Sequence, residues 1–305
     1  MLTRFGDIAD LSLAAIPREP LRPTEVRVRV AVAGLNPVDW QIVESPELAS
    51  AFGLDVPMGY GNDFSGTIVE VGPAVRSRQV GDRVFGGARG RAAASTITLD
   101  EEHPGLHRTP TGVSDLQAGV LDIAGRTASA VVDALAARRG ETTLVGAAGG
   151  GVGSILTQLL VREGIEVLGS GSPASFDFIR SLGARPVPYG DDLTASVRAE
   201  GVVLAAAADL HGTATAEAAV LLGVPPRRVV TIEAEHPPTG TVQVNGSDAQ
   251  PGALDRLLAL VVNGELQIPV AATYSLDRFR EAIAVQRSRH VRGKIALVLT
   301  ESDCG

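Results

Sequence analysis

Thr142–Leu160 reads TTLVGAAGGGVGSILTQLL, and the order of residue types in it decides the fold. Thr142-Thr143-Leu144-Val145 is a short apolar, β-branched run, the composition of a buried strand. Gly146 to Gly153 (GAAGGGVG) follows, and Ser154–Glu163 then carries Ile155, Leu156, Leu159 and Leu160 at helical spacing. Strand, glycine-rich turn and helix in that order predict a βαβ unit holding the pyrophosphate of a dinucleotide. Glycine lets bare backbone approach the phosphates, where a Cβ would collide. The helix that follows presents N–H groups and the positive end of its dipole. A glycine-rich turn without a ligand is the alternative, and the strand before and helix after it favour the ligand.

Working outward, apolar segments Glu166–Gly169, Pro186–Tyr189, Gly201–Ala206 and Arg228–Ile232 read as strands. They alternate with helical patterns at Ser175–Leu182, Leu193–Ala199 and Thr215–Leu222, which predicts a parallel sheet covered on both faces. Thr127–Arg139 and Pro251–Asn263 are further helices. Toward the N-terminus the period changes. Glu25–Ala33 (EVRVRVAVA) alternates Val with charged or small residues, a strand with one buried face. Thr67–Val71, Val80–Phe85 and Ala92–Leu99 are short strands between Gly and Pro turns, which suggests a small barrel. The tail Ile268–Thr300 reverts to strand, helix, strand and is expected to rejoin that first domain. A length of 305 residues exceeds what one core usually supports. The expected division is 1–112 with 268–305, and 113–267.

The second strand of the dinucleotide unit decides the cofactor. It ends in Leu168-Gly169-Ser170-Gly171-Ser172, with no carboxylate to take the 2′-hydroxyl of an NAD ribose. An acid there would repel a 2′-phosphate, whereas small hydroxyl residues leave room for it. NADPH is therefore favoured over NADH. Arg180 stands ten residues beyond Ser170 and Lys294 is distant in sequence, so no cationic clamp is evident.

Bulk properties exclude other classes. The formal charge of −8, without a basic run, argues against nucleic acid. Gly201–Ala208 and Leu257–Val262 are the longest apolar stretches and too short to span a bilayer. The N-terminus MLTRFGDIADLSL lacks the apolar region of a signal peptide, so the chain reads as cytoplasmic. The single cysteine, Cys304, excludes an intramolecular disulfide and a multi-cysteine metal site.

Seven segments together resemble the zinc-independent quinone oxidoreductase branch of the medium-chain dehydrogenase/reductase superfamily. They are Ala33–Trp40 (AGLNPVDW), Gly61–Gly66 (GNDFSG), Val80–Phe85 (VGDRVF), Ala124–Ala128 (AGRTA), Ala148–Gly153, Leu182-Gly183-Ala184 and His290–Ile295 (HVRGKI). They stand in the family's order and spacing and span nearly the whole chain. The resemblance implies an α/β protein with a Rossmann parallel-sheet domain plus a GroES-like β-barrel domain, the nicotinamide lying where they join. It also implies NADPH-dependent reduction of a quinone or α,β-unsaturated carbonyl, commonly in a homodimer. By position it assigns Gly150, Gly151, Val152 and Gly153 to the pyrophosphate, with Ala148 also at the cofactor, and Ser170, Ser175 and Tyr189 to the adenosine ribose and its 2′-phosphate. Asn36, Thr127 and Ile232 would line the nicotinamide, and Lys294 would lie near the cofactor.

There are departures from the family. Ala174 occupies the place of the usual Lys or Arg that holds the 2′-phosphate, and Ala205–Ala208 replaces an acidic or polar residue and a Gly pair in the loop after the fourth strand. Pro37 and Asn62 stand where zinc-dependent members carry their first two ligands. His103 and His107 are separated by Pro104-Gly105, which forbids the helix that would pair them on a metal. Cleft candidates are Asn36, Asp39, Asp63 and Tyr60. Asp39 and Asp63 equally suit turn or junction hydrogen bonds, and Tyr60 and Trp40 suit either a substrate pocket or the core. No nucleophile or general acid stands out. Two rivals remain open: a natural-product tailoring enzyme (an enoyl or ketone reductase, or a redox-neutral catalyst) on the same scaffold, and a dinucleotide-binding protein without turnover.

Overall fold

The computed structural model describes residues 1–299; Thr300–Gly305, and with them Cys304, lie outside the described residues. Over the described residues the chain divides into two compact units, 1–123 with 270–290 and 294–299, and 124–269 with 291–293. In chain order the strands are β1 (Glu25–Leu35), β2 (Asp63–Val71), β3 (Arg83–Gly87), β4 (Thr96–Asp100), β5 (Leu106–Arg108), β6 (Thr142–Val145), β7 (Glu166–Gly171), β8 (Arg185–Pro188), β9 (Leu204–Asp209), β10 (Val229–Thr231), β11 (Val242–Gln243), β12 (Val270–Ser275) and β13 (Lys294–Val298).

The first unit holds a largely antiparallel sheet of order β12-β13-β1-β2-β3-β5, with β4 also on β1. β1 organises it. Glu25–Arg29 pairs with β4, Val32–Leu35 with β13, and most of the strand's length with β2. Register shifts between Arg27/Val28 and Val30/Val32 bend the strand so that it can serve all three neighbours. Val26, Val28, Val30 and Val32 are buried as the period-2 pattern predicts, but Arg27, on the face expected to be solvated, is buried too. Its guanidinium is held by Glu70 at 2.6 Å, by Thr98 and by the Glu19 carbonyl, which is what makes burial of the charge tolerable.

The second unit is a parallel sheet of order β11-β10-β9-β6-β7-β8. The order reverses at β6 and β9, the point at which such sheets bind ligands beyond their carboxyl ends. Leu144, Leu168, Val187, Ala207 and Val229 from the strands pack with Val197, Ala216 and Ala219 from the helices in one core.

Several boundaries differ from expectation. The helix after the glycine turn runs Gly151–Arg162, not from Ser154, because glycines in a first turn forfeit no intrahelical N–H bond. The helix expected at Thr127–Arg139 spans Asp122–Leu135 and is followed by Ala136 at a φ of +46°. The alanines Ala205–Ala208 are not a loop. They are the middle of β9, where small side chains suit a strand flanked on both sides by β6 and β10.

Candidate functional site

The second unit's candidate site is the carboxyl edge of its sheet. β6 ends at Val145, and Gly146 passes against Thr215, whose Cβ would lie 3.0 Å from any Cβ added at Gly146. Ala147 then turns with a φ of +50°, a conformation that costs a residue with a Cβ about 1 kcal/mol. The turn is held from both sides. The Ala147 N–H donates to the Ser170 hydroxyl at 3.3 Å, and the Ala148 N–H to the Ser170 carbonyl at 3.1 Å. On the far side the Gly293 N–H donates to the Gly149 carbonyl at 2.8 Å. Gly150 is the helix N-cap in extended conformation and provides no side-chain cap for Gly151, Val152 and Gly153. A Cβ at Gly153 would fall on the Ala147 carbonyl oxygen and 2.8 Å from Ala148 Cα, so helix and turn meet this closely only through glycine.

β7 ends beside this turn. Ser170 is buried with its hydroxyl committed to the turn, and the Ser175 hydroxyl donates to the Ser172 carbonyl at 2.7 Å. The exposed Tyr189 follows β8, its N–H donating to the Gly171 carbonyl at 3.3 Å. Ser170, Ser175 and Tyr189 are thus brought together around one end of the edge. Ile232 sits just past β10, its N–H on the Asp209 carbonyl, and Thr127 is buried on the helix Asp122–Leu135. Arg180 is paired with Asp177 at 2.7 Å, one helical turn away, which leaves the place occupied by Ala174 exposed and uncharged.

An acid stands where the alanine run was read as displacing one. Asp209 closes β9, fully buried, and its carboxylate accepts the N–H groups of His211 at 3.0 Å and Ala216 at 2.9 Å. Burial pushes this carboxyl up, and those backbone donors pull it back. A shift of the strand by three residues beyond the expected Gly201–Ala206 hid it in the sequence.

The other predicted residues form a second group, within the first unit. Asn36 caps the helix Pro37–Glu44, and the Asp39 carboxylate reaches back to the Asn36 N–H at 2.7 Å. The Asn62 amide donates to the other Asp39 oxygen, and the Lys294 ammonium to the side-chain amide oxygen Oδ1 of Asn36. Lys294 Nζ also stands 3.6 Å from Asp63, which accepts the Ile123 N–H at 3.2 Å. All five polar side chains are at least nine-tenths buried. Burial, and then the charge of Asp63, push the Asp39 carboxyl up to about 7. Burial raises Asp63 as well, against the pull of Lys294. Burial and the neighbouring Asp39 charge raise the Tyr60 phenol. Asn62, read only as a lost metal ligand, is a full member of this network; its place beside Asp63 in GNDFSG was the available signal.

Trp40 lies on the same helix as Asp39, its indole N–H donating to Gln286 at 2.6 Å and its ring within cation–π reach of the guanidinium groups of Arg287 and Arg289, at 5.2 and 5.3 Å. His103 accepts the Gly105 N–H, while His107 is in β5 against Phe85, so the two are not brought onto a common ligand.

The alcohol dehydrogenase GroES-like domain family matches residues 22–132, and the zinc-binding dehydrogenase family matches residues 113–297. The chain belongs to the medium-chain dehydrogenase/reductase superfamily.

It has the α/β fold of that superfamily, with a GroES-like domain and a Rossmann-like parallel sheet. Polyketide synthase GfsB of Streptomyces halstedii is 31% identical over 301 residues, 92% of this chain and 5% of its own length. Spectinabilin polyketide synthase system protein NorB of Streptomyces orinoci is 36% identical over 58% of this chain and 8% of its own. The trans-enoyl reductase himH of Aspergillus japonicus is 31% identical over 53% of this chain and 51% of its own. This medium-chain dehydrogenase/reductase thus spans about half or less of the length of these relatives. Among solved structures, the quinone oxidoreductase of Coxiella burnetii superposes with a TM-score of 0.86 at 23% identity, over 98% of both chains. The CurK enoyl reductase does so at 0.84, also with 23% identity and 98% of both chains. At these identities the likeness is one of fold.

A zinc ion, implied by the family's description, does not fit the residues present. Among the described residues no group of three or more His, Cys, Asp or Glu side chains is placed to hold a metal. In the buried network, an asparagine and a lysine ammonium occupy positions beside the two carboxylates. A dinucleotide does fit: the uncapped N-terminus of Gly151–Arg162 behind a side-chain-free Gly150 is a cradle for a diphosphate.

Proposed function

We propose that this protein is an NADPH-dependent reductase of α,β-unsaturated carbonyl compounds, of the enoyl-reductase kind. The observation that carries the reading is the uncapped helix start behind Gly150, next to a β7 that ends in Ser170-Gly171-Ser172 without an acid. The first feature suits a pyrophosphate, and the second suits a 2′-phosphate better than a free 2′-hydroxyl. A bound NADPH would supply hydride to the β-carbon of the acceptor. Gly151, Val152 and Gly153 would hold the diphosphate by backbone N–H groups, while Gly150, whose own N–H is donated to the Ala147 carbonyl at 2.9 Å, would leave the approach clear of a side chain. Ser170 would keep the turn in register, and Ser175 and Tyr189 would flank the adenosine ribose. The acceptor's electron pair moves to its carbonyl oxygen, and the α-carbon takes a proton from water. Asn36, Asp39, Asp63 and Lys294 would act as a buried scaffold within the first unit.

The polyketide synthases and trans-enoyl reductase among its relatives favour an enoyl acceptor, whereas the likeness to quinone oxidoreductases is one of fold. The test is NADPH oxidation, followed by absorbance, with crotonyl-N-acetylcysteamine thioester beside benzoquinone. Faster turnover of the thioester is expected. Turnover of benzoquinone alone would favour the quinone reductase, and binding without any turnover would refute the reductase assignment.

A further inference from the structure

The edge of the parallel sheet carries one feature that neither the glycine turn nor the serines of β7 account for. β9 and β10 are parallel neighbours with Asp209 opposite Thr231. The residues two beyond each strand end, His211 and Glu233, therefore rise side by side, and the imidazole Nδ1 stands 3.6 Å from the Glu233 carboxylate. The His211 backbone is fixed by its N–H to Asp209, which spends its own carboxylate inward on that bond and on Ala216. Glu233 keeps a quarter of its side-chain surface exposed, and His211 about half.

The position of this pair follows from the strand order. β7 and β8, with Ser170, Ser175 and Tyr189, lie on one side of β6; β9 and β10 lie on the other. A dinucleotide laid across the point where the order reverses, with its diphosphate on the Gly150–Gly153 turn and its adenosine toward β7, sends its second ribose toward β9 and β10. That ribose has two vicinal hydroxyls, and a carboxylate offers two acceptors matched to such a diol.

We propose that Glu233, steadied by His211, binds the ribose diol of the nicotinamide half of the dinucleotide. Glu233 is then a positioning residue, fixing the half that carries the hydride while the adenosine half is held elsewhere. The proposal rests on the dinucleotide reading given above, and its test separates the two. Dissociation constants of NADPH and of 2′,5′-ADP, which lacks the nicotinamide half, are measured by calorimetry for the parent protein, Glu233→Gln and Glu233→Ala. NADH beside 5′-AMP serves as the second pair. Both variants are expected to lose about tenfold in NADPH affinity, from the loss of charge-assisted bonds, and to bind 2′,5′-ADP as the parent does. Unchanged NADPH affinity overturns the proposal, and so do parallel losses for NADPH and 2′,5′-ADP. A parent that binds none of the four ligands overturns the dinucleotide reading and this inference with it.

Discussion

Gly153→Ala should damage folding and dinucleotide binding together, and by an amount that the geometry sets. The added methyl would lie 2.8 Å from Ala148 Cα and on the Ala147 carbonyl oxygen. Carbon atoms pack at about 3.5–4.0 Å, so helix and turn must part by close to an ångström. Neither partner yields easily. The contact atoms are backbone, Ala148 is buried, and the turn is tied by Ser170 and Gly293. Forced overpacking of this kind costs about 1–3 kcal/mol, and each kcal/mol lowers the melting temperature of a domain of this size by roughly 2–4 °C. The same displacement moves the N–H groups of the first helical turn, so NADPH affinity should fall at least tenfold. Gly150→Ala is the companion variant. Gly150 has a φ of −76°, and its Cβ would meet only the Ala147 carbonyl oxygen, at 3.2 Å. It should melt within about 2 °C of the parent yet bind NADPH more weakly, because the methyl occupies the cradle. Thermal melts and calorimetry on both proteins decide the matter. A Gly153→Ala protein with parental melting temperature and parental affinity would refute the close-approach argument.

Further outcomes follow from the buried network and from the edge of the sheet. Lys294→Met leaves Asp63 buried without its cation and should lower unfolding free energy by about 3–5 kcal/mol in denaturant melts; a loss below about 1 kcal/mol would deny the pair its structural role. Asp39, raised to about 7 from an ordinary 3.8, binds its proton more tightly folded than unfolded. Its contribution is therefore complete below the unfolded value and is lost as pH rises toward 7, amounting to as much as about 4 kcal/mol. Asp39→Asn should flatten that part of the stability-versus-pH curve, and an unaltered curve between pH 4 and 7 would contradict it. Ala174→Lys places a cation just past β7 and should raise the preference for NADPH over NADH about tenfold in competitive binding, an effect that added salt should weaken.

Local chemistry was enough to read the parallel-sheet unit from the chain. The run from Thr142 to Leu160 specifies strand, turn and helix by residue type alone, and the later strands announce themselves because a strand buried on both faces is continuously apolar. The missing carboxylate after Leu168 is likewise a one-dimensional fact. The motifs of the first unit named its family without revealing its network. Asn36, Asp39, Asn62, Asp63 and Lys294 come from widely separated parts of the sequence, and only the pairing of β1 with β2 and β13 brings them into one buried cluster. Arg27 kept its place in the strand pattern but not its expected exposure, because Glu70 reaches it only once β2 is paired. The run Ala205–Ala208 misled for the same reason: alanine suits helix, loop margin and buried strand alike, and the neighbours β6 and β10 settle the choice. Where a residue's state depends on what its own segment can do, composition and spacing determine it. Where it depends on a partner far along the chain, as with the titration of Asp39 or the meeting of His211 and Glu233, the tertiary structure decides, since burial and charge pairing act through space.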